Sequence, residues 1–382
     1  MIKVAFFGSA FAGRFASGTA QTTRKLIDYL IQNESSRIEV WLILKTEQDA
    51  QLIRKDLTLS RAKLIVLPQL TGKFLRSSRQ YYSMVLKFRN QKLFDIVHYG
   101  VPRVYPFFWK FPARFHVCTF HAAGDITVKQ EKFVLSKHAY NQIIKWQWRF
   151  FDKIYSDSNF ASNEIAMNYR IPISRIEELV LGSDQLWKLQ SESSPLIKPG
   201  KFNIVIVGRW QDYKNVHSPL IAFRDSSNPI LRSANLILVG KSNQLGKSNV
   251  EKIVSEMTSF SLQVADFVPD QELKYLYENA QLVIHPSINE GFGLPAFEAF
   301  SLGAKLMVHH GTPADYYLSK FPGVYVGNLR ETATIEKLVL LSMLESKIEL
   351  EKRKGYLEDM QMTWDLAAAN YVRSYFELLE GK

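Results

Sequence analysis

The chain predicts an α/β protein of two similar halves, each built on a parallel sheet. Three observations carry that expectation. At 382 residues the chain is too long for one ordinary core. Strand-like and helix-like segments alternate throughout, as parallel sheets with crossover helices require. The alternation breaks at Ser191-Glu192-Ser193-Ser194-Pro195, with Pro199 and Gly200 just beyond, which is linker composition. Residues 1–190 and 200–362 are therefore expected as two domains, followed by an apolar-periodic helix over Trp364–Leu379 within residues 363–382.

In the first half, Ile2–Phe7 reads as a buried strand that enters a glycine-bearing loop, Gly8–Gly18. A helix follows over Thr19–Gln32. Arg37–Leu44, Ala62–Leu67, Phe94–His98 and Phe115–Phe120 are further strands. Lys132–Phe151 reads as a long aromatic helix and Lys153–Ser156 as a short strand. The second half repeats the pattern with strands at Phe202–Gly208, Leu236–Gly240, Leu262–Phe267, Gln281–His285 and Ala304–Val308. Two such halves imply a cleft between them, because open parallel sheets bind ligands outside the carboxyl ends of their strands.

Composition narrows the classes. One cysteine, Cys118, excludes an internal disulfide framework and fits a reducing compartment. Lys3 followed by Val4–Gly13 imitates a signal peptide, but a strand entering a glycine loop explains the same residues. No uncharged apolar run reaches the ~18 residues that span a bilayer. The net charge of +11 is uneven: residues 51–150 hold 18 Lys/Arg against 4 Asp/Glu. That asymmetry points to an anionic partner for the first half. Within it, Lys73, Arg76, Arg79, Lys87, Arg89 and Lys92 mix with Phe74, Tyr81, Tyr82 and Phe88. Tyr105, Phe107, Phe108, Trp109 and Phe111 follow, with Lys110 and Arg114. Cations among interfacial aromatics suit a surface of anionic lipid. No recognition motif accompanies them, so no nucleic acid is expected.

The most informative stretch is Glu290-Gly291-Phe292-Gly293-Leu294-Pro295-Ala296-Phe297-Glu298. An apolar run, Ala280–Pro286, precedes it, and a helix-forming stretch opened by Pro295 and closed by Gly303 follows. Strand, glycine loop and helix together offer close backbone N–H groups and a positive helix end, which suit a phosphate. Carboxylates beside phosphate would repel it. Glu290 and Glu298 are therefore better placed to accept hydrogen bonds from hydroxyls. The second motif, Gly208-Arg209-Trp210-Gln211-Asp212-Tyr213-Lys214-Asn215, ends the first strand of the second half. Arg209 and Lys214 there can neutralise a diphosphate leaving group. No His/Asp/Cys spacing suits a tight metal site. His98 ends a strand and reads as a packed histidine. His309 and His310 are discounted as a metal pair, because adjacent strand residues point apart.

The pairing of these two motifs resembles the retaining GT-B glycosyltransferases of the glycogen-synthase-like superfamily (family 4 type). Val268-Pro269-Asp270-Gln271-Glu272-Leu273 and Trp364-Asp365 followed by Tyr371 extend the resemblance over most of residues 200–371. In residues 1–190 it is looser and rests on the first strand-loop, His121 and Ser156-Asp157-Ser158-Asn159-Phe160. It implies a GT-B fold: two Rossmann-like domains facing across a deep cleft, with the last helix crossing back to the first. By this resemblance Glu290 binds donor-sugar hydroxyls and Glu298 the ribose. Arg209 and Lys214 bind the diphosphate in place of a divalent metal, helped by the N–H groups of Phe292, Gly293 and Leu294. His121 contacts the donor sugar or positions the acceptor. The aspartate often found after that histidine is absent, and the sequence leaves open whether Asp125 replaces it. The paired glycines of the family's first loop are here Ser17-Gly18, so Gly18 is the better match and Gly13 the weaker.

The expectation is thus a metal-independent hexosyltransferase. It would move sugar from a nucleoside-diphosphate donor, a substrate and not a cofactor, to a glycan or lipid-linked acceptor in envelope or extracellular glycan synthesis. It would be cytoplasmic and peripheral on the inner face of the membrane. A same-fold nucleotide-sugar epimerase or hydrolase is the alternative. A non-catalytic basic binding module would explain the charge but not the Glu290/Glu298 and Arg209/Lys214 constellation.

Overall fold

The computed structural model describes residues 1–7, 18–67, 82–83, 85–88, 93–102, 111–121, 142–240, 247–257, 261–344 and 348–381. The chain divides into two compact units, Met1–Leu181 with Trp364–Lys382, and Gly182–Thr363.

In the first unit, seven strands run β1 (Ile2–Phe7), β2 (Ile38–Leu44), β3 (Lys63–Val66), β4 (Phe94–Tyr99), β5 (Ala113–Phe120), β6 (Lys153–Ser156) and β7 (Ile176–Glu178). Their order is β3-β2-β1-β4-β5-β6-β7, and every pair is parallel. Side chains alternate between two apolar clusters. Val4, Phe6, Leu42 and Ile96 face one, whereas Ala5, Ile43, Val97 and Cys118 face the other. Burial on both faces is why these strands read as nearly unbroken apolar runs. The helix Gly18–Asn33 buries Thr22, Leu26, Ile27, Leu30 and Ile31 at helical spacing.

The helix Trp364–Glu380 packs Ala368, Tyr371, Val372 and Tyr375 into the same cluster as Val4 and Phe6. Polar contacts fix its register. His98 Nδ1 lies 2.5 Å from the Tyr375 hydroxyl, and its Nε2 lies 2.8 Å from Thr119 Oγ1. The Tyr155 hydroxyl meets Ser374 Oγ at 3.1 Å, and Ser374 donates to Glu177 Oε2 at 2.7 Å. Burial, and the charge of His121, bring the His98 pKa down to about 3. His98 is a packed, neutral histidine, as its sequence position suggests.

The second unit repeats the winding. Its strands are β8 (Asn203–Val207), β9 (Asn235–Val239), β10 (Ser261–Ala265), β11 (Leu282–His285), β12 (Leu306–His309) and β13 (Val324–Gly327). The order is β10-β9-β8-β11-β12-β13, again all parallel. In both sheets the order reverses beside the first strand, and that switch point is where such sheets take ligands.

Three differences from the sequence reading have plain causes. Strands β7 and β13 are absent from it, since both are short sheet edges: Ile176-Glu177-Glu178 is charged, and Val324–Gly327 is only half-buried. The first boundary falls at 181 and not 190. Residues 182–190 belong to the second unit, where the Trp187 and Leu189 carbonyls accept from Lys274 Nζ at 3.1 and 2.9 Å. Of the long helix expected over Lys132–Phe151, residues 142–147 are helical and Trp148–Phe150 tighten into a 3-10 turn. Residues 132–141 lie outside the described residues.

Candidate functional site

In the second unit, β11 delivers the chain to the loop that precedes the helix Leu294–Ser301. Gly293 makes the corner in a left-handed conformation, φ 90°, which favours glycine. Phe292 turns inward and stacks on Phe297, ring centroids 4.3 Å apart. Its side chain is thus packed in the core. The N–H groups of Phe292, Gly293 and Leu294 have no protein partner among the described residues. Three free donors at a helix start make an anion site. The other end of this helix is closed by Arg353, which is 1% exposed. It donates to the carbonyls of Phe300, Ala304 and Pro322 at 3.2, 2.7 and 2.6 Å. Burial lowers its pKa to about 10, still cationic at neutral pH and suited to a helix C-terminus.

Lys214 closes the 3-10 turn Asp212–Lys214 after β8. Its Nζ lies 2.5 Å from Glu290 Oε1, so the two sequence motifs meet in an ion pair. His285, at the end of β11, places Nε2 3.2 Å from the same oxygen. Burial pushes the Glu290 carboxyl up, but the Lys214 ammonium and His285 outweigh it and hold the group well below the usual carboxylate range. Glu290 is therefore an anion. This pairing was not part of the sequence reading, which gave Lys214 to phosphate and Glu290 to sugar.

Asn215 locks the two motifs together. It is left-handed at φ 53° and 2% exposed. Its Nδ2 donates to the carbonyls of Leu329 at 2.7 Å and Pro286 at 3.3 Å, while Ser218 Oγ donates to its Oδ1 at 2.6 Å. The Tyr213 carbonyl accepts from the Ile288 N–H at 2.9 Å and from Ser287 Oγ at 3.2 Å. Gly240 brings the exits of β8 and β9 together, for a Cβ there would fall 2.0 Å from the Gly208 carbonyl oxygen.

Glu298 is buried and accepts a hydrogen bond from the Gln185 side-chain amide. Gln185 comes from the stretch that the sequence reading assigned to the other domain. The Tyr277 hydroxyl is buried with no hydrogen-bond partner, and burial and the Glu298 charge raise its pKa well above the usual value. Arg209 is exposed just beyond β8 and makes no ion pair among the described residues. Its guanidinium is not drawn into the Lys214–Glu290 group.

In the first unit, His121 follows β5, Asp157 follows β6 and Gly100 follows β4, the ends of three adjacent strands. His121 Nδ1 lies 2.7 Å from Asp157 Oδ2, and Nε2 lies 2.9 Å from the Gly100 carbonyl. Both partners accept, so both ring nitrogens must donate and the ring is an imidazolium. Burial acts against that charge, but Asp157 and the Gly100 carbonyl prevail and the pKa is raised. The partner of His121 is Asp157, not Asp125, which lies outside the described residues. Gly18 is exposed at the start of its helix, and the second turn packs closely on Gly100, where a Cβ would meet Thr23 Oγ1 at 2.6 Å. Gly8, Gly13 and Ser17 lie outside the described residues. His309 and His310 do not point apart: their rings stack 4.6 Å apart, because the strand ends at His309 and His310 begins a turn. His309 Nδ1 accepts from the Leu329 N–H at 3.0 Å, which makes it a structural residue.

Residues 189–352 match the family of glycosyl transferases group 1. The O-antigen chain mannosyltransferase B of Escherichia coli is 23% identical over 231 residues, 58% of this chain and 60% of that protein. The match thus spans about three-fifths of the curated relative. Sucrose-phosphate synthase from Thermosynechococcus elongatus superposes with a TM-score of 0.77 at 13% identity, covering 100% of both chains. Anabaena Alr3699/HepE in complex with UDP-glucose gives 0.65 at 13%, again over 100% of each. The fold is GT-B, with two Rossmann-like domains.

The second unit depends on Asn215 for the mutual placement of its two motifs. Asn215→Gly keeps the left-handed backbone but strands two buried carbonyls, and is expected to cost ~1–3 kcal/mol in urea unfolding. Asn215→Leu adds backbone strain and should cost more. Equal stability of both variants and the parent would mean that the amide locks nothing.

Proposed function

We propose that the chain is a retaining glycosyltransferase that moves a hexose from a nucleoside-diphosphate sugar to a hydroxyl of an envelope glycan. The observation that carries this reading is the Lys214–Glu290 pair beside the three free N–H groups of Phe292, Gly293 and Leu294. A diphosphate placed on those donors could take further hydrogen bonds from Lys214, whose ammonium has three N–H groups. Arg209, exposed beyond β8, supplies a second cation. Glu290 then meets sugar hydroxyls, and Glu298, oriented by Gln185, meets the ribose. One matching relative is a mannosyltransferase of O-antigen chains, which favours mannose as the sugar and a lipopolysaccharide-type glycan as the acceptor.

The proposed step breaks the bond from the anomeric carbon to the diphosphate oxygen and forms one to the acceptor oxygen. The acceptor proton passes to the departing diphosphate, so the products are the glycoside and a nucleoside diphosphate. No described carboxylate has to act as a nucleophile in this scheme. The protein contributes position and electrostatic stabilisation of the leaving charge. Two cations and three N–H groups supply that stabilisation without a divalent metal. His121, with both nitrogens engaged, contributes a fixed positive charge and not a general base.

The test is transfer from a panel of nucleoside-diphosphate hexoses, with mannose donors included, to lipid-linked glycan acceptors. Lys214→Ala should lower transfer by ~100-fold or more, the scale for losing one preorganised charge. Excess chelator should change nothing. Parent-like transfer by Lys214→Ala, or loss of activity in chelator, would overturn the clamp.

The basic first half is proposed to meet an anionic lipid surface on the inner face of the membrane. Trp146 and Ile143 are 53% and 41% exposed, beside Lys145 and Arg149 on one short stretch. Arg76, Arg79 and Arg89 lie outside the described residues, and no described helix is long and apolar enough to cross a membrane. Each cation near such a surface contributes about 1 kcal/mol. Vesicles with anionic lipid should bind the protein, neutral vesicles should not, and salt should weaken the binding. A variant with Arg76, Arg79, Lys87 and Arg89 neutralised should be released. Its undiminished binding would reduce the charge to a solvated face.

A further inference from the structure

Glu290 is held through one oxygen. Oε1 meets both Lys214 Nζ, at 2.5 Å, and His285 Nε2, at 3.2 Å, and no described side chain bonds Oε2. His285 is 3% exposed at the end of a strand whose other residues, Leu282, Val283 and Ile284, are apolar core. Its Nδ1 has no partner among the described residues, and its Nε2 faces Glu290 Oε1 at 3.2 Å. Burying such a ring is costly, about 1–3 kcal/mol for each unsatisfied polar atom. Packing alone would be better served there by leucine or phenylalanine. The loop backbone also closes on this contact: a Cβ at Gly293 would lie 3.4 Å from His285 Nε2 and 3.6 Å from Glu290 Cγ.

We propose that His285 is a positioning residue, which pins Oε1 of Glu290 so that Oε2 is presented to a hydroxyl of the donor sugar. The inference rests on the reading of Glu290 as the sugar-binding carboxylate. Lys214 cannot do this alone. Its ammonium rides on a flexible four-carbon stem and is shared with the diphosphate once a donor binds. His285 stands on a strand inside the sheet, and a rigid support holds a site group more closely than a mobile one. With one oxygen committed to the protein, the carboxylate offers its other oxygen in a single orientation. That preorganisation counts when a sugar is present and not when nucleotide alone binds.

The test uses the full chain with UDP-glucose and GDP-mannose, and with UDP and GDP as the matching free diphosphates. His285→Leu is expected to bind the free diphosphate within about two-fold of the parent, while kcat/KM for the donor falls ~10- to 100-fold. His285→Gln, whose amide N–H can reach Glu290, should recover most of that loss. His285→Asn is polar but too short to reach it, and should behave like the leucine variant if the latter does not fold. In a Glu290→Gln background, either disabling change should cost less than about three-fold more. Equal losses in diphosphate binding and donor use, or full additivity with Glu290→Gln, would make His285 a packing residue only. A parent that uses no nucleoside-diphosphate sugar would overturn the reading of Glu290 and this proposal with it. A parent that does, matched by His285→Leu, would overturn this proposal alone.

Discussion

Lys214 and Glu290 lie half-buried against each other, which takes both charges largely out of water, and the second unit is arranged so that this holds. Each charge costs several kcal/mol to desolvate, and only a close partner offsets it. The partners arrive on different elements: one closes a turn after β8, the other follows β11, its neighbour in the sheet. Asn215, the Tyr213 carbonyl and the Gly208–Gly240 contact all serve to bring those two exits to one place. Once they are there, a cation, a carboxylate and a row of unpaired N–H groups share one corner. Arg353 supports it from the far end of the helix, where its three carbonyl contacts keep the helix seated. Loss of either partner would leave a half-buried charge without its counter-ion, so the corner is built to be occupied by both signs at once.

The first unit follows the same logic with a histidine. Asp157 and the Gly100 carbonyl hold His121 as a cation at the end of β5. One strand earlier in the chain, on the neighbouring strand β4, His98 is kept neutral by burial among hydroxyls. The two rings illustrate how partners decide charge: a carboxylate and a carbonyl retain the proton, whereas hydroxyls that can donate or accept do not. The helix Trp364–Glu380 supplies Tyr375 and Tyr371 to the neutral network and so ties the chain's last helix to its first sheet.

Much of this was legible in the residues. Eleven of the thirteen described strands were legible, the central ones because parallel strands buried on both faces are apolar throughout, and the helix at Leu294 announced itself through Gly293 and Pro295. The strands that escaped notice, β7 and β13, are edges with no continuous apolar face. The site was legible as two motifs but not as a contact. Nothing in the spacing of Lys214 and Glu290, 76 residues apart, says that they pair. His285 looked like the end of a strand, and Gln185 like part of another domain, because long-range partners leave no local period. Arg353 gave no signal either: a single arginine in a charged helix shows neither its burial nor the three carbonyls it reaches.

On the proposed reading one corner, from Lys214 to Leu294, takes both the diphosphate and the sugar of a donor, and a crystal structure with an intact nucleoside-diphosphate sugar would decide it. Diphosphate oxygens are expected on the N–H groups of Phe292, Gly293 and Leu294 and on Lys214, with Glu290 Oε2 on a sugar hydroxyl. A diphosphate bound away from that helix start, with the sugar out of reach of Glu290, would contradict it.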